Sequence, residues 1–253
     1  MRLNSWLDCP TPNPQAQTRL LCIHHAGGSS LLFRNWVEAM PPSIEIITAE
    51  LPGRGRKFGE PLLEDFNIVA EELFRAVTML EQDKPLAILG HSLGALLAFD
   101  LAKKLEGRNF QSPLALFVSG CKSAALFSSE GCSRKSTMSD SELTKALRNH
   151  NGTESDLLES EEFLELFLPI FRADYKLVET FRTKLPIEKL RCPLVALGGT
   201  EDPDISTFQL LDWQSHTKNK FTHHLFSGDH FFIQSQEAKV MGTVAQELKA
   251  LLQ

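Results

Sequence analysis

The chain of 253 residues contains no apolar run approaching the roughly 20 residues that span a bilayer, which argues against a membrane-crossing helix. Its first ten residues, Met1-Arg-Leu-Asn-Ser-Trp-Leu-Asp-Cys-Pro10, lack the apolar stretch of a secretion signal, so a cytoplasmic location is expected. Positive charge is in short supply. Lys and Arg number 26 against 32 Asp and Glu, and the net charge of −6 argues against nucleic acid or an anionic membrane as the main partner. The five cysteines are odd in number and none is spaced C-x-x-C. Cys22 and Cys192 lie in or beside apolar runs and read as reduced, buried thiols, with no catalytic cysteine expected. The glycines are not followed by Gly-Lys-Ser/Thr, so a phosphate-binding loop is not expected. The histidine pairs His24-His25 and His223-His224 belong to no His-x-x-x-His helix, and the expectation is no metal and no cofactor. Neither an internal repeat nor a low-complexity tract is present.

What is present is ordinary globular material, 42% hydrophobic and 23% charged, enough for one large α/β domain with an insertion. The pattern alternates. Strand-like runs occur at Leu20–His24, Ile44–Glu50, Pro85–Leu89, Leu114–Val118, Leu194–Leu197 and Phe221–Phe226. Between and after them come helical patterns at Leu31–Met40 (stopped by Pro41-Pro42), Phe66–Leu80, Ala95–Leu105 and Glu237–Leu252, and a frayed N-terminus precedes the loop Pro10–Pro14. Strands separated by helices predict an α/β fold, a mainly parallel central sheet with helices on both faces. From Cys121 to Leu185 the alternation stops, and helical patterns at Leu143–Arg148, Phe163–Phe171 and Asp174–Phe181 predict a helical lid insertion over the carboxyl ends of the strands.

Gly90-His91-Ser92-Leu93-Gly94 joins a predicted strand to a predicted helix. A serine between glycines at such a junction is a nucleophile elbow, where only glycine leaves room for the turn and the hydroxyl stands clear at a helix start. Serine needs a base, and in this arrangement an acid and then a histidine follow it in the chain. His150 and His216 lie in polar surroundings and read as solvated, while His223 and His224 would point to opposite faces of a strand. His230, in Ser227-Gly-Asp-His-Phe-Phe232, follows the last strand in a glycine turn and is the expected base. The acid should follow the preceding strand, within Thr200-Glu-Asp-Pro-Asp204. Asp202 is favoured because proline fixes the loop after it; Asp204 is next, Glu201 reads as solvated, and Asp174 is a more distant candidate that could approach from above.

A tetrahedral intermediate needs two donors aimed at its oxygen. Leu93, directly after the serine, is expected to give one N–H; the turn His25-Ala26-Gly27-Gly28 gives the other, from Ala26 or, failing that, Gly27. Phe163, Leu166, Phe167 and Phe171 could line an acyl chamber or form the insertion's packing face. Arg54, Arg56 and Lys57 could meet a phosphate or an acidic partner surface, or be a plain exposed basic turn.

Six segments occur in an order that resembles one family: His25-Ala-Gly-Gly-Ser29, Leu51-Pro-Gly-Arg-Gly-Arg56, Gly90–Gly94, Arg172-Ala-Asp174, Gly198-Gly-Thr-Glu-Asp202 and Gly228-Asp-His-Phe-Phe232. Together they resemble the type II thioesterases that accompany nonribosomal peptide and polyketide synthases, from about Leu20 to the last helix. The resemblance implies a hydrolase of the α/β-hydrolase superfamily that clears acyl groups from the phosphopantetheine arm of acyl- or peptidyl-carrier proteins. It sets Ser92, Asp202 and His230 as catalytic, although the crowding of acids at Glu201–Asp204 departs mildly from the pattern. Other readings are a medium-chain fatty acyl carrier-protein thioesterase, a carboxylesterase of free esters, and an inactive carrier-protein binding module. Nothing in the sequence demands more than a monomer.

Overall fold

The computed structural model describes residues 3–130, 134–149, 152, 156–184 and 186–253, without the side chains of 128–130 and 149. Seven strands form one sheet: β1 (Leu7–Asp8), β2 (Thr18–Ile23), β3 (Ile44–Ala49), β4 (Leu86–His91), β5 (Leu116–Ser119), β6 (Leu194–Gly199) and β7 (Phe221–Phe226). Their spatial order is β1-β3-β2-β4-β5-β6-β7. Every pairing is parallel except β1 with β3, where Leu7 faces Ala49 and Asp8 faces Thr48. The expected frayed N-terminus therefore carries a short antiparallel edge strand.

The helices are α1 (Arg34–Ala39), α2 (Phe66–Thr78), α3 (Leu93–Gly107), α4 (Ala124–Glu130), α5 (Asp140–Asn149), α6 (Glu161–Thr180), α7 (Thr207–Leu211), α8 (Phe232–Ser235) and α9 (Glu237–Leu251). The helix expected over Leu31–Met40 begins as a 3-10 turn, Ser30–Phe33, before α1. Asp65 caps α2 by accepting the N–H groups of Asn67 and Ile68, and Ser160 caps α6 through Phe163 N–H.

Two hydrophobic cores explain why the strands read as unbroken apolar runs. Leu21, Ile23, Ile47, Ile88, Leu116, Val118 and Ala196 face one core with α2 and α3. Their alternates, Leu20, Cys22, Ile46, Leu89, Phe117, Val195 and Leu197, face the other with α1 and with Val240, Val244 and Leu248 of α9. Both faces of the sheet are thus covered.

Among the described residues, the stretch between β5 and β6 contains helices and 3-10 turns and no strand. Where two helices were expected after Phe163, α6 runs unbroken for 20 residues with Pro169 inside it. Its apparent break in apolar pattern is Asp174, which is wholly buried. A third, smaller cluster holds α5 to α6 through Leu143, Leu147, Leu168 and Phe171.

Candidate active site

The connection order reverses between β2 and β4, so the loops leaving those strands diverge and open a crevice at their carboxyl ends, where open α/β sheets bind ligands. Ser92 stands at that point with φ 56° and ψ −116°, a left-handed conformation for a residue with a side chain. Neighbouring glycines permit it. A Cβ on Gly90 would lie 1.9 Å from the Gly94 carbonyl oxygen, and one on Gly94 would lie 2.2 Å from that of Ile23. The Ser92 N–H donates to Ser119 C=O at 2.8 Å, which ties the elbow to β5.

The loops after β6 and β7 approach equally closely. A Cβ on Gly199 would meet the Asp229 carbonyl oxygen at 2.3 Å, and Glu201 N–H donates to Gly228 C=O at 2.9 Å. This brings His230 Nδ1 to 2.8 Å from Asp202 Oδ2. A carboxylate only accepts, so Nδ1 carries the hydrogen and Nε2 of the neutral ring is left as the basic nitrogen. Asp202 Oδ1 accepts the N–H groups of Asp204 (2.9 Å) and Ile205 (3.2 Å), and its side chain is 1% exposed. Of the competing acids, Glu201 and Asp204 are exposed, Asp204 at the border of the cavity that Ser92 and His230 share, and Asp174 bonds Arg54 and Gly27 rather than the imidazole.

Ser92 and His230 open onto one cavity of about 280 Å³, together with Ala26, Leu93, Phe171 and Tyr175. The Leu93 N–H begins α3 and so has no acceptor within that helix. Gly27, the fallback donor, has its N–H directed to Asp174 Oδ2 at 2.7 Å and is not available to an oxyanion. The His25–Ala26 peptide is pinned by its carbonyl, which lies 2.8 Å from His24 Nδ1 and accepts Gly28 N–H at 3.1 Å. Because the peptide is planar and trans, this aims the Ala26 N–H the opposite way. The next peptide is pinned too, its Ala26 carbonyl 2.9 Å from His25 Nδ1. Carbonyls only accept, so both imidazoles carry hydrogen on Nδ1.

These imidazoles stay neutral. Burial, reinforced by the charge of Arg54, holds His24 well below its ordinary pKa. Burial pulls His25 down to about 4, and His91, lodged between His25 and His230, is also driven well down by burial. Asp202, Asp204 and His230 offer ligand atoms within 4.8 Å of one another, a spacing a metal could use. Both Asp202 oxygens are already accepting hydrogen bonds, however, which favours an acid holding an imidazole over a ligand set.

Several expectations change. His216 is buried rather than solvated, against Trp213 and Phe99 at 5.0 and 5.5 Å. His150 lies outside the described residues. Arg54 and Lys57 are buried and cannot present a phosphate-binding face. Arg54 pairs with Asp174, and Lys57 pairs with Glu60 and lies 4.0 Å over the Trp6 ring. Arg56, partly exposed, pairs with Asp8. Of the four apolar residues considered for the chamber, Phe171 alone lines it. Phe163 and Phe167 stack on each other at 4.2 Å in the α5–α6 cluster, and Leu166 is 52% exposed. Leu96, Phe127, Leu147 and Val178 add to the apolar wall, and no local sequence signal marked them.

Sheet order, elbow and the loops that converge on it define a hydrolase of the α/β-hydrolase fold. A family model described as thioesterase domain matches residues 18–248, and the chain belongs to that family. Thioesterase PikA5 of Streptomyces venezuelae is 34% identical over 243 residues, covering 96% of this chain and 85% of its own. The solved structure of the type II thioesterase BorB from the borrelidin biosynthetic cluster superposes with a TM-score of 0.87 at 33% identity, covering 98% of this chain and 99% of that one. A protein of Brevibacillus parabrevis named linear gramicidin dehydrogenase LgrE is 34% identical over 250 residues, 98% of this chain and 94% of its own. Here the first βα turn reads His25-Ala-Gly-Gly-Ser29, without the G-x-G-x-x-G spacing of a dinucleotide site. The chain is a thioester hydrolase.

Proposed function

We propose that this enzyme hydrolyses acyl thioesters on the phosphopantetheine arm of carrier proteins in nonribosomal peptide or polyketide assembly. The observation that carries the reading is the Asp202–His230 hydrogen bond opening onto the same cavity as Ser92. Likeness to BorB of the borrelidin biosynthetic cluster, over nearly the whole of both chains, supports the biosynthetic setting. The cavity, about 280 Å³, lies at the lower edge of the roughly 300–1,000 Å³ usual for small-molecule sites, which suits a short acyl group. In this reading the helices between β5 and β6 are the cover of that chamber.

His230 Nε2 takes the Ser92 proton as Oγ attacks the thioester carbonyl carbon. The carbonyl π pair moves to oxygen, where the Ala26 and Leu93 N–H groups stabilise it. Collapse breaks the C–S bond, and the imidazolium returns its proton to the departing sulfur. A thiol with pKa near 8.5 leaves far more readily than an amine. His230 then deprotonates a water that attacks the Ser92 ester; a second collapse releases the carboxylic acid and restores the hydroxyl. Asp202 holds the productive tautomer throughout and stabilises the imidazolium.

Steady-state hydrolysis of acetyl-loaded and decanoyl-loaded carrier protein, compared with a free nitrophenyl ester, tests the proposal. Preference for the short acyl group on the carrier is expected, with at least a 1,000-fold loss of kcat in Ser92→Ala. Preference for the decanoyl carrier would support a medium-chain fatty acyl thioesterase, and indifference to the carrier would support an esterase. Carrier binding without turnover would reduce the chain to a binding module.

A further inference from the structure

The Leu51-Pro-Gly-Arg-Gly-Arg56 loop and the Arg172-Ala-Asp174 segment are not explained by the triad, yet they meet through Arg54 and Asp174. Arg54 donates from Nη1 and Nη2 to the two oxygens of Asp174, the Nη2 bond being 2.9 Å. Its Nε and Nη2 also donate to Pro52 C=O, at 3.2 and 3.1 Å, so the guanidinium is turned wholly inward. Asp174 in turn accepts the Gly27 N–H at 2.7 Å. Phe171, three residues earlier and therefore on the same side of α6, closes over Gly27. A Cβ there would fall 1.9 Å from its ring, and Gly27 has φ +74°.

We propose that Asp174, oriented by Arg54, is a positioning residue that sets the oxyanion loop through the Gly27 N–H. The inference rests on the serine hydrolysis proposed above and deepens it. The peptide following Ala26 is gripped at both ends, by His25 Nδ1 at its carbonyl and by Asp174 at its N–H. With that plane fixed, rotation about the Ala26 backbone can no longer swing the Ala26 N–H away from the crevice. One carboxylate on a helix remote in sequence thereby ties the cover of the chamber to the donor geometry inside it. The loop around Arg54 acts through Asp174, not on a partner.

The test replaces the pair as a unit. Asp174→Leu with Arg54→Met removes both charges and the acceptor for Gly27 while keeping bulk, a change that buried ion pairs commonly tolerate in folding. Two quantities are read: kcat and KM on a short-chain acyl thioester, and the affinity of an alkyl boronic acid, which forms a tetrahedral adduct on Ser92. The expected result is a 10- to 100-fold lower kcat, KM within threefold, and boronate affinity lowered by the same factor as kcat. Asp174→Asn with Arg54→Met restores an acceptor oxygen and is expected to recover at least half of the loss on a logarithmic scale. If the Leu/Met protein does not fold, the Asn/Met protein is compared with wild type instead: kcat and boronate affinity are expected to fall together by no more than about 3- to 10-fold, and a fall in kcat without one in boronate affinity would overturn the proposal. Wild-type kcat and boronate affinity in the folded variant would overturn the proposal, as would lost kcat with unchanged boronate affinity. Hydrolysis surviving Ser92→Ala is a separate outcome that would remove the serine chemistry itself, and the positioning role with it.

Discussion

Replacing Asp202 by asparagine changes one atom and should reverse the imidazole. Asp202 Oδ1 accepts two N–H groups, from Asp204 and Ile205, and only the amide oxygen of asparagine can keep both bonds. The amide nitrogen must then occupy the Oδ2 position, 2.8 Å from His230 Nδ1, and donate to it. The proton moves to Nε2, the atom that should receive the Ser92 hydrogen, so the dominant tautomer cannot act as base. Loss of tautomer control of this kind costs about 10³–10⁴ in kcat, or about 4–5 kcal/mol of barrier. The site stays packed, because the side chain is 1% exposed and the substitution keeps its volume. Steady-state hydrolysis of a soluble acyl thioester should therefore show the full fall in kcat with little change in thermal midpoint. Asp204→Asn, at an exposed position on the same loop, should stay within threefold of wild type. An Asp202→Asn protein within tenfold of wild-type kcat would refute the reasoning.

Gly94→Ala should destabilise by about 1–3 kcal/mol or more in urea unfolding, because the new methyl meets backbone, 2.2 Å from Ile23 O and 2.7 Å from His24 O; a change under 0.5 kcal/mol would contradict it. Stability should fall as pH drops from 6.5 toward 4. There the unfolded chain binds protons that buried His25 (about 4), His24 and His91 refuse, and His25 alone withdraws on the order of 3 kcal/mol at the limit. Thermal midpoints at pH 7.5 and 5.0 check this, and an unchanged or higher midpoint at pH 5.0 would count against it. Four of the five cysteines are buried, so Ellman's reagent should label at most one thiol in the folded protein and all five in guanidinium. Two or more reactive native thiols would contradict the burial.

The parallel strands were legible because both of their faces are covered, which turns a strand into a short apolar run such as Leu86–Leu89. The elbow and the His230 turn were legible for another reason. Their chemistry depends on local glycines whose spacing is written in consecutive residues. What escaped depends on partners far along the chain. Leu7–Asp8 becomes a strand only through Ala49 and Thr48, and two residues carry no periodicity of their own. His216 has polar neighbours in sequence and aromatic ones in space. Arg54 looked exposed because its counter-ion lies 120 residues later, on a helix whose apolar stripe that same aspartate interrupts. The aromatic run of α6 was visible, but whether a ring faces the chamber or α5 is decided by how the helix docks, which divides Phe171 from Phe163 and Phe167.

The backbone at Ser92 has a consequence for the balance between endurance and reactivity. A residue with a side chain held at φ 56° and ψ −116° costs on the order of 1–3 kcal/mol, which glycine largely avoids. A Ser92→Gly chain should accordingly melt at a higher temperature than the wild type while hydrolysing nothing. On the proposed mechanism the serine is kept at the expense of the native state, and a screen for heat resistance alone would select it away.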